Sequence, residues 1–307
     1  MKLITNDQVA DLITTADAIE SMRQAFATIK QGAQQARVRT SAGPVMLSTM
    51  GAVLPGSGVA GVKVYTTVNG QFQFVIVLFS TEDGRPLATI EADTMTGFRT
   101  AAATAVATDL LAKTDATTLS IIGTGVQAKS HVPALITVRR FKEILVYGID
   151  HQQSFADDVT RLTGIPTRVV DMHDAVQGAD VLLTVTRSPT PLFSGDLLMP
   201  GTFVAAIGAS KANARELDDS AIARAAAWVV EWKPQAQQEA GDLVMCRPGI
   251  VDWDKVWELG QVVDGSMTYK RRPHDIVIYK AIGVGLEDVA LAGLVYRRAC
   301  ERYGWVG

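Results

Sequence analysis

The residues with the plainest chemical meaning lie in the run LSIIGTGVQAKSHV, Leu119 to Val132. An apolar stretch enters Gly123-Thr124-Gly125-Val126-Gln127-Ala128 and continues as helix-compatible sequence. In a strand-turn-helix unit Gly123 permits the tight turn, and Gly125 lets the backbone approach a pyrophosphate. Ala128 lets the helix sit close to the strand, and amides at the helix N-terminus face the phosphates. A lone GxGxxA also fits an ordinary turn. Here a strand precedes it, a helix follows, and a second strand, EILVYGID, arrives about 20 residues on, the spacing of a dinucleotide-binding unit. That strand should end in an acid for the ribose of NAD, or be followed by Arg for the phosphate of NADP. Gly148 holds the expected end, Asp150 comes two residues later and no Arg follows, so NAD is favoured over NADP. Asp150 would serve equally well as a cap of the next helix, and His151 reads as a solvated first-turn residue.

Three cations form a second candidate set: Arg39 in ARVRTS, Lys63 in the apolar run GVKVY, and Arg99 at the start of an Ala-rich segment. Lys63 breaks a run in which a charge is costly unless paired. Each cation alone is more simply a surface charge, but an Arg/Lys cluster is what a carboxylate ligand needs, and the Arg fork matches it at two points. Other reactive residue types offer less. Cys246 and Cys300 have no metal spacing, no disulfide framework and no nucleophile motif. His131 and His173 lack a second ligand at metal spacing, His274 sits in the basic loop KRRPHD, and Trp228, Trp232, Trp253 and Trp257 read as packing residues.

The elements that must position these residues change style along the chain. Thr15 to Gly32 reads as a helix capped by Thr15, with Ala18, Ile19, Met22, Ala25, Phe26 and Ile29 as its apolar stripe. From Pro44 to Ile90 short β-rich runs separated by Gly, Pro and Asn predict an antiparallel sheet, with a hairpin through Asp83-Gly84 and Arg39 ahead of the first strand. Thr96 to Leu111 is an Ala-rich helix. After Asp115, strands are expected at Leu119–Ile122, Ile144–Ile149, Thr167–Val170, Val181–Val185, Phe203–Ile207 and Trp228–Val230, alternating with helices or loops. That alternation predicts a doubly wound parallel sheet. The tail from Ile276 reads as a strand followed by a long helix that returns to the first domain. The fold class expected is therefore α/β, a Rossmann-type doubly wound parallel sheet inserted into an α+β domain. The inserted nucleotide domain covers 116–282, and 1–115 plus 283–307 make the other domain.

A chain of 307 residues with 48% hydrophobic and 20% charged residues has ample material for two cores. The formal charge of −3 gives no electrostatic reason to expect nucleic acid or an acidic membrane as partner. No apolar run approaches a bilayer span, and MKLITNDQVADL lacks the pattern of a signal peptide, so a cytoplasmic location is expected.

EADTMTGFRTAAATAVATDLLA, then IIGTGVQAKSH, IGASKANARELDD, EAGDL and AIGVGLEDVALAGLVY, together and in this order, resemble the ornithine cyclodeaminase/mu-crystallin family nearly end to end. The resemblance implies a homodimer whose first domain and terminal helix form the substrate and dimerisation half. It also implies NAD(P)-dependent hydride transfer at the α-carbon of a small amino or imino acid. Carried over by motif, Arg39, Lys63 and Arg99 are the carboxylate clamp, with Lys63 also placed to polarise or protonate the reacting nitrogen. Thr184 and Thr186, in VLLTVTRSP, fall where such a fold passes the nicotinamide. Two departures bear on the reaction: Ser210 stands where cyclodeaminases carry an Asp toward the substrate nitrogen, and Ala52 where they carry a Glu. Two ammonium groups in an already cationic cleft need carboxylates to offset them, whereas a cyclic imine with one carboxylate does not. The resemblance therefore favours a ketimine- or pyrroline-2-carboxylate-reductase-like enzyme, with Lys63 or a water on Ser210 as proton source. Amino-acid dehydrogenase, ornithine cyclodeaminase and a non-catalytic ligand-binding protein are the alternatives. Asp288 reads as a cap, an interdomain hydrogen bond or a catalytic group.

Overall fold

The computed structural model describes residues 1–305; Val306 and Gly307, the end of the expected terminal segment, lie outside the described residues. The chain divides into two compact units, one of Met1–Ala103 with the chain from Gly283 onward, the other of Thr104–Ile282.

The first unit begins with β1 (Lys2–Ile4), α1 (Asn6–Leu12) and α2 (Thr15–Ala27). Thr14, rather than Thr15, caps α2, its hydroxyl accepting from the Asp17 amide while the Asp17 side chain returns the bond. The helix stops at Ala27, and Ile29–Gln31 form a single 3-10 turn before Gly32. Five strands follow: β2 (Ala33–Ala42), β3 (Val45–Leu54), β4 (Val59–Val68), β5 (Gln71–Ser80) and β6 (Pro86–Glu91). They pair antiparallel in sequence order, and β1 closes the sheet alongside β6 in parallel. The sheet therefore begins earlier than its β-rich composition suggests, and Arg39 lies inside a strand rather than before one. The β2–β3 ladder is regular except between Gln35 and Val38, where an extra residue makes a bulge. The expected hairpin turns through Asp83-Gly84, with Gly84 at φ +75°. The Ala-rich helix α3 (Asp93–Leu111) starts one turn earlier than expected.

Register fixes what each face of this sheet carries. Met50, Lys63, Ile76 and Ile90 form one rung, and directly opposed residues share a face. The last helix of the chain, Gly285–Tyr303, packs on β3, β4 and α2 and covers that face.

The second unit holds β7 (Thr118–Ile122), α4 (Val126–Val138), β8 (Glu143–Tyr147), α5 (Gln152–Thr163), β9 (Thr167–Val169), α6 (Met172–Gln177), β10 (Val181–Thr184) and β11 (Phe203–Ala206). It continues through α7 (Asp219–Arg224), β12 (Ala225–Val230), α8 (Lys233–Glu239), α9 (Gly241–Val244), β13 (Val256–Glu258), α10 (Leu259–Val263) and β14 (Ile276–Lys280); the last helix above is α11. All eight strands are parallel, in the order β13-β12-β14-β11-β10-β7-β8-β9. The sheet is doubly wound, with its topological switch between β7 and β10, where ligands bind in such folds. The expected strands are present; β7 and β12 end where expected, whereas β8, β9, β10 and β11 stop short, β8 at Tyr147 rather than Ile149 and β10 at Thr184 rather than Val185. Short β13 carried no sequence signal. Among the described residues no helix is long and apolar enough to cross a membrane.

Candidate functional site

In the second unit the turn after β7 is built for an anion. Gly123 has φ +113°, and a Cβ there would stand 2.8 Å from the Val185 carbonyl oxygen, so only glycine fits. Its amide donates to the Tyr147 carbonyl at 2.8 Å, bringing the ends of β7 and β8 together. Gly125 occupies the N-cap position of α4 with no side-chain cap, and no atom lies within 4 Å of where its Cβ would be. The first-turn amides therefore open onto space a phosphate would fill. Gln127 Oε1 is buried without a hydrogen-bond partner among the described residues, and Ala128 is fully buried. Val126 is well exposed at the same helix start. Thr124 Oγ1 donates to the Asp150 carbonyl at 2.8 Å, tying the turn to the segment after β8. Asp150 is exposed, and the N-cap position of α5 belongs to His151, at φ 54° and without a side-chain cap, so Asp150 is not that cap. These features fit a dinucleotide. Gly123→Ala is expected to weaken NADH binding about tenfold or more, through backbone strain and contact with Val185. Fluorescence titration checks this, and unchanged affinity would remove the turn from the cofactor site.

Thr184 and Thr186 lie beside this turn but spend their hydroxyl protons internally. Glu216 Oε2 accepts from Thr184 Oγ1 at 2.9 Å and the Gly208 amide at 2.8 Å. Its Oε1 accepts from the Thr186 amide at 2.7 Å and hydroxyl at 2.8 Å. Burial pushes the Glu216 carboxyl up, against the pull of Lys280 and these donors. Asp242 Oδ1 accepts the Glu216 and Leu217 amides at 2.7 and 2.8 Å, and its Oδ2 stands 2.9 Å from Lys280 Nζ. Lys280 also donates to the Ala206 and Ala209 carbonyls. This buried chain of Lys280, Asp242 and Glu216 fixes the loop after β11 in which Ser210 sits half-buried. None of the three was singled out in the sequence for this role. The available signal was confined to Lys280, a charge at the end of the apolar run IVIYK; Glu216 and Asp242 lie in polar stretches.

In the first unit Lys63 and Arg99 come together, and they bring acids of their own. Lys63 is 1% exposed, its Nζ 2.7 Å from Thr96 Oγ1 and 3.1 Å from Asp288 Oδ1. Arg99 reaches Glu287 Oε2 at 2.6 Å and Asp288 Oδ1 at 3.2 Å. Arg37, passed over in the sequence, donates to the Gly283 carbonyl at 2.9 Å. Arg39 lies on the Lys63 face of the sheet, opposite Ser48, two residues along β3 from Met50. Burial lowers the Lys63 pKa to about 8; the neighbouring Arg99 and Arg37 add to the shift and Asp288 opposes it. Lys63 and Arg99 thus share Asp288, Arg99 also meets Glu287, and Arg37 stands close enough for its charge to act on Lys63; guanidinium and ammonium groups gathered in this way suit a carboxylate ligand. Asp288 is not the cap of α11, whose N-cap residue is Val284, but the shared counter-ion of Lys63 and Arg99. Ala52, 5% exposed in β3, supplies no carboxylate at that position.

The remaining candidates are structural. His131 is fully buried between Thr104 Oγ1 and the Gln127 carbonyl. Asp171, His173 and Asp174 place ligand atoms within 4.8 Å of one another, but all are exposed and Asp171 caps α6. Burial pushes the Cys246 thiol up to about 12, so it is no nucleophile.

Comparison with known proteins bears on the same residues. The model of the ornithine cyclodeaminase/mu-crystallin family matches residues 2–302. A Δ1-pyrroline-2-carboxylate reductase of Bacillus cereus is 35% identical over 265 residues, which cover 82% of this chain and 81% of the relative. Among solved structures, a probable ornithine cyclodeaminase from Bordetella pertussis has 47% identity and a TM-score of 0.98, covering 100% of this chain and 99% of its own. A Δ1-pyrroline-2-carboxylate reductase of Thermococcus litoralis, in complex with NADH and L-proline, has 28% identity and a TM-score of 0.94, covering 99% and 98%.

Proposed function

Because the chain belongs to the ornithine cyclodeaminase/mu-crystallin family, we propose that it is an NAD(P)-dependent oxidoreductase reducing the C=N bond of a small or cyclic α-imino acid. The observation that carries this reading is Lys63: a buried lysine beside Arg99, held by Asp288 and Thr96, with its pKa brought to about 8. At neutral pH it is an ammonium near its own pKa, the condition in which a general acid works best.

A bound dinucleotide would supply the hydride; the amides of Gly125, Val126 and Gln127 would hold it, with Thr124, Ala128 and Asp150 shaping the turn and Thr184 and Thr186 offering backbone and hydroxyl oxygens. NAD is favoured over NADP because no Arg follows Asp150. Arg39, Lys63 and Arg99 hold the substrate carboxylate, which fixes C2; positioning of this kind removes several kcal/mol of barrier. The Lys63 ammonium gives the substrate nitrogen the proton that reduction of the C=N bond requires, and solvent restores that proton. Ser210, or a water on it, is the second candidate donor.

The designation of the Bordetella relative points to ornithine cyclodeamination instead. That chemistry lacks its acids here, since positions 52 and 210 hold Ala and Ser and Asp288 is committed to Lys63 and Arg99. The test follows NADH and NADPH oxidation with pyrroline-2-carboxylate and piperideine-2-carboxylate, and in parallel assays ornithine with catalytic NAD for ammonia and proline. Imine reduction without ornithine turnover supports the reading, and ornithine turnover sinks it.

The protein is further proposed to work as a homodimer through the sheet face opposite Lys63. There Val38, Leu47, Val53, Val75 and Phe79 are all exposed and share one side of the ladder, an apolar patch that solvated monomers rarely leave uncovered. Phe79→Glu is expected to give a monomer by light scattering after gel filtration; a persistent dimer would move the interface elsewhere. Cys246 and Cys300 are both free thiols, which suits the reducing cytoplasm proposed for the enzyme.

A further inference from the structure

Beside the cationic cluster, the Lys63 face of the sheet carries a second pattern. Arg39, Ser48, Tyr65 and Phe74 stand on one rung across β2, β3, β4 and β5, two residues along from Lys63. The next rung pairs Thr67 with Phe72. Tyr65 and Phe74 have ring centroids 5.1 Å apart, and Phe72 stacks on Phe74 at 5.5 Å with 7° between the planes. Lys63 Nζ lies 4.4 Å from the Phe74 centroid. Tyr65 is buried at the lysine end of this row, whereas Phe72 is 38% exposed at the other. Ser48 Oγ is buried without a hydrogen-bond partner among the described residues, on the same rung as Arg39.

We infer that Tyr65, Phe74 and Phe72 are the wall against which the substrate's ring or side chain lies, and that they restrict the enzyme to α-imino monocarboxylates with an uncharged hydrocarbon ring or chain. The inference rests on the proposed carboxylate clamp: with the carboxylate among Arg39, Lys63 and Arg99, the atoms beyond C2 meet the next rungs of the same face. Methylene groups gain from burial against aromatic rings. A second carboxylate would meet the negative faces of those rings, with no further cation on that row besides Arg39. A side-chain ammonium would compete with the Lys63 ammonium for the face of Phe74 and be repelled by it.

The experiment measures kcat/KM of the full-length protein for pyrroline-2-carboxylate and for the dicarboxylic imine formed in situ from oxaloacetate and ammonia. Wild type, Phe72→Ala and Phe74→Leu are compared, with NADH binding as the control for folding. Wild type is expected to prefer the ring substrate about 100-fold or more, and each variant to lose about tenfold of that preference through KM for the ring. A wild type with no preference for the ring, or variants that keep the wild-type ratio, overturns the inference. The wild-type ranking needs no variant to fold, and exposed Phe72 can be truncated safely. Failure of wild type to reduce either imine brings down the proposed function itself, and the inference with it.

Discussion

Lys63→Met is expected to lower kcat for imine reduction about 1,000-fold, within the range for losing a positioned general acid, while NADH binding to the separate nucleotide unit stays at the wild-type level. The pH profile gives a sharper readout. With the Lys63 pKa at about 8, kcat/KM should hold at neutral pH and fall as the ammonium deprotonates above that value. The groups facing Lys63 set the limb: Asp288 from α11 favours the charged form, whereas Arg99 from α3 and Arg37 from β2 oppose it. Asp288→Asn therefore moves the alkaline limb to lower pH by about one unit; a limb unchanged in both variants would assign it to another group. Stability follows the same proton. The pKa is depressed from 10.5 to about 8 on folding, so between those values the unfolded chain holds the proton and the folded one does not. Stability contributed by this group therefore rises with pH across that window, and denaturation midpoints at pH 8 and 10 measure it.

Lys280→Met is the second large effect. It leaves Asp242 buried opposite an apolar side chain, a loss of about 3–5 kcal/mol, or about 10 °C in melting temperature for a unit of this size. Adding Asp242→Leu recovers only part of this. Asp242 also accepts the Glu216 and Leu217 amides, and those donors would be left buried and unmet. Full recovery by the double variant would mean that the amides find other acceptors and that the chain of charges does not hold the Ser210 loop. Calorimetry decides between the two.

How far the sequence alone led depends on the range of the interaction. The turn Gly123–Ala128 was legible because a strand, a tight turn and a helix start are all encoded within a dozen residues. The helix α3 was legible from its alanines. The partners of Lys63 and Arg99 were not, since Asp288 and Glu287 lie 225 and 188 residues away. Only the fold reveals that two consecutive acids at the start of α11 face two cations rather than cap a helix. The strand holding Arg39 was missed for a local reason: AQQARVRTSA is rich in polar residues, and the bulge after Gln35 breaks the alternation that marks a strand. Position 210 was read from a motif and lies in the expected loop, but the buried charges that hold that loop are brought together from three distant segments.

That bulge also decides which way Arg39 points. Strand side chains alternate, so one inserted residue reverses the phase of everything that follows it. Gln35 opposes Gly51 and Val38 opposes Thr49; paired one to one from Gln35 onward, without the bulge, Arg39 would oppose Leu47 on the apolar side and Val38 would turn inward opposite Ser48. The bulge takes up the surplus residue and so acts as a one-residue frame marker that keeps Arg39 on the face of Lys63 and Val38 on the exposed apolar face. Deletion of Ala36 removes the surplus without changing that phase, so KM for the imino acid and the mass of the assembly by light scattering are expected to stay at their wild-type values.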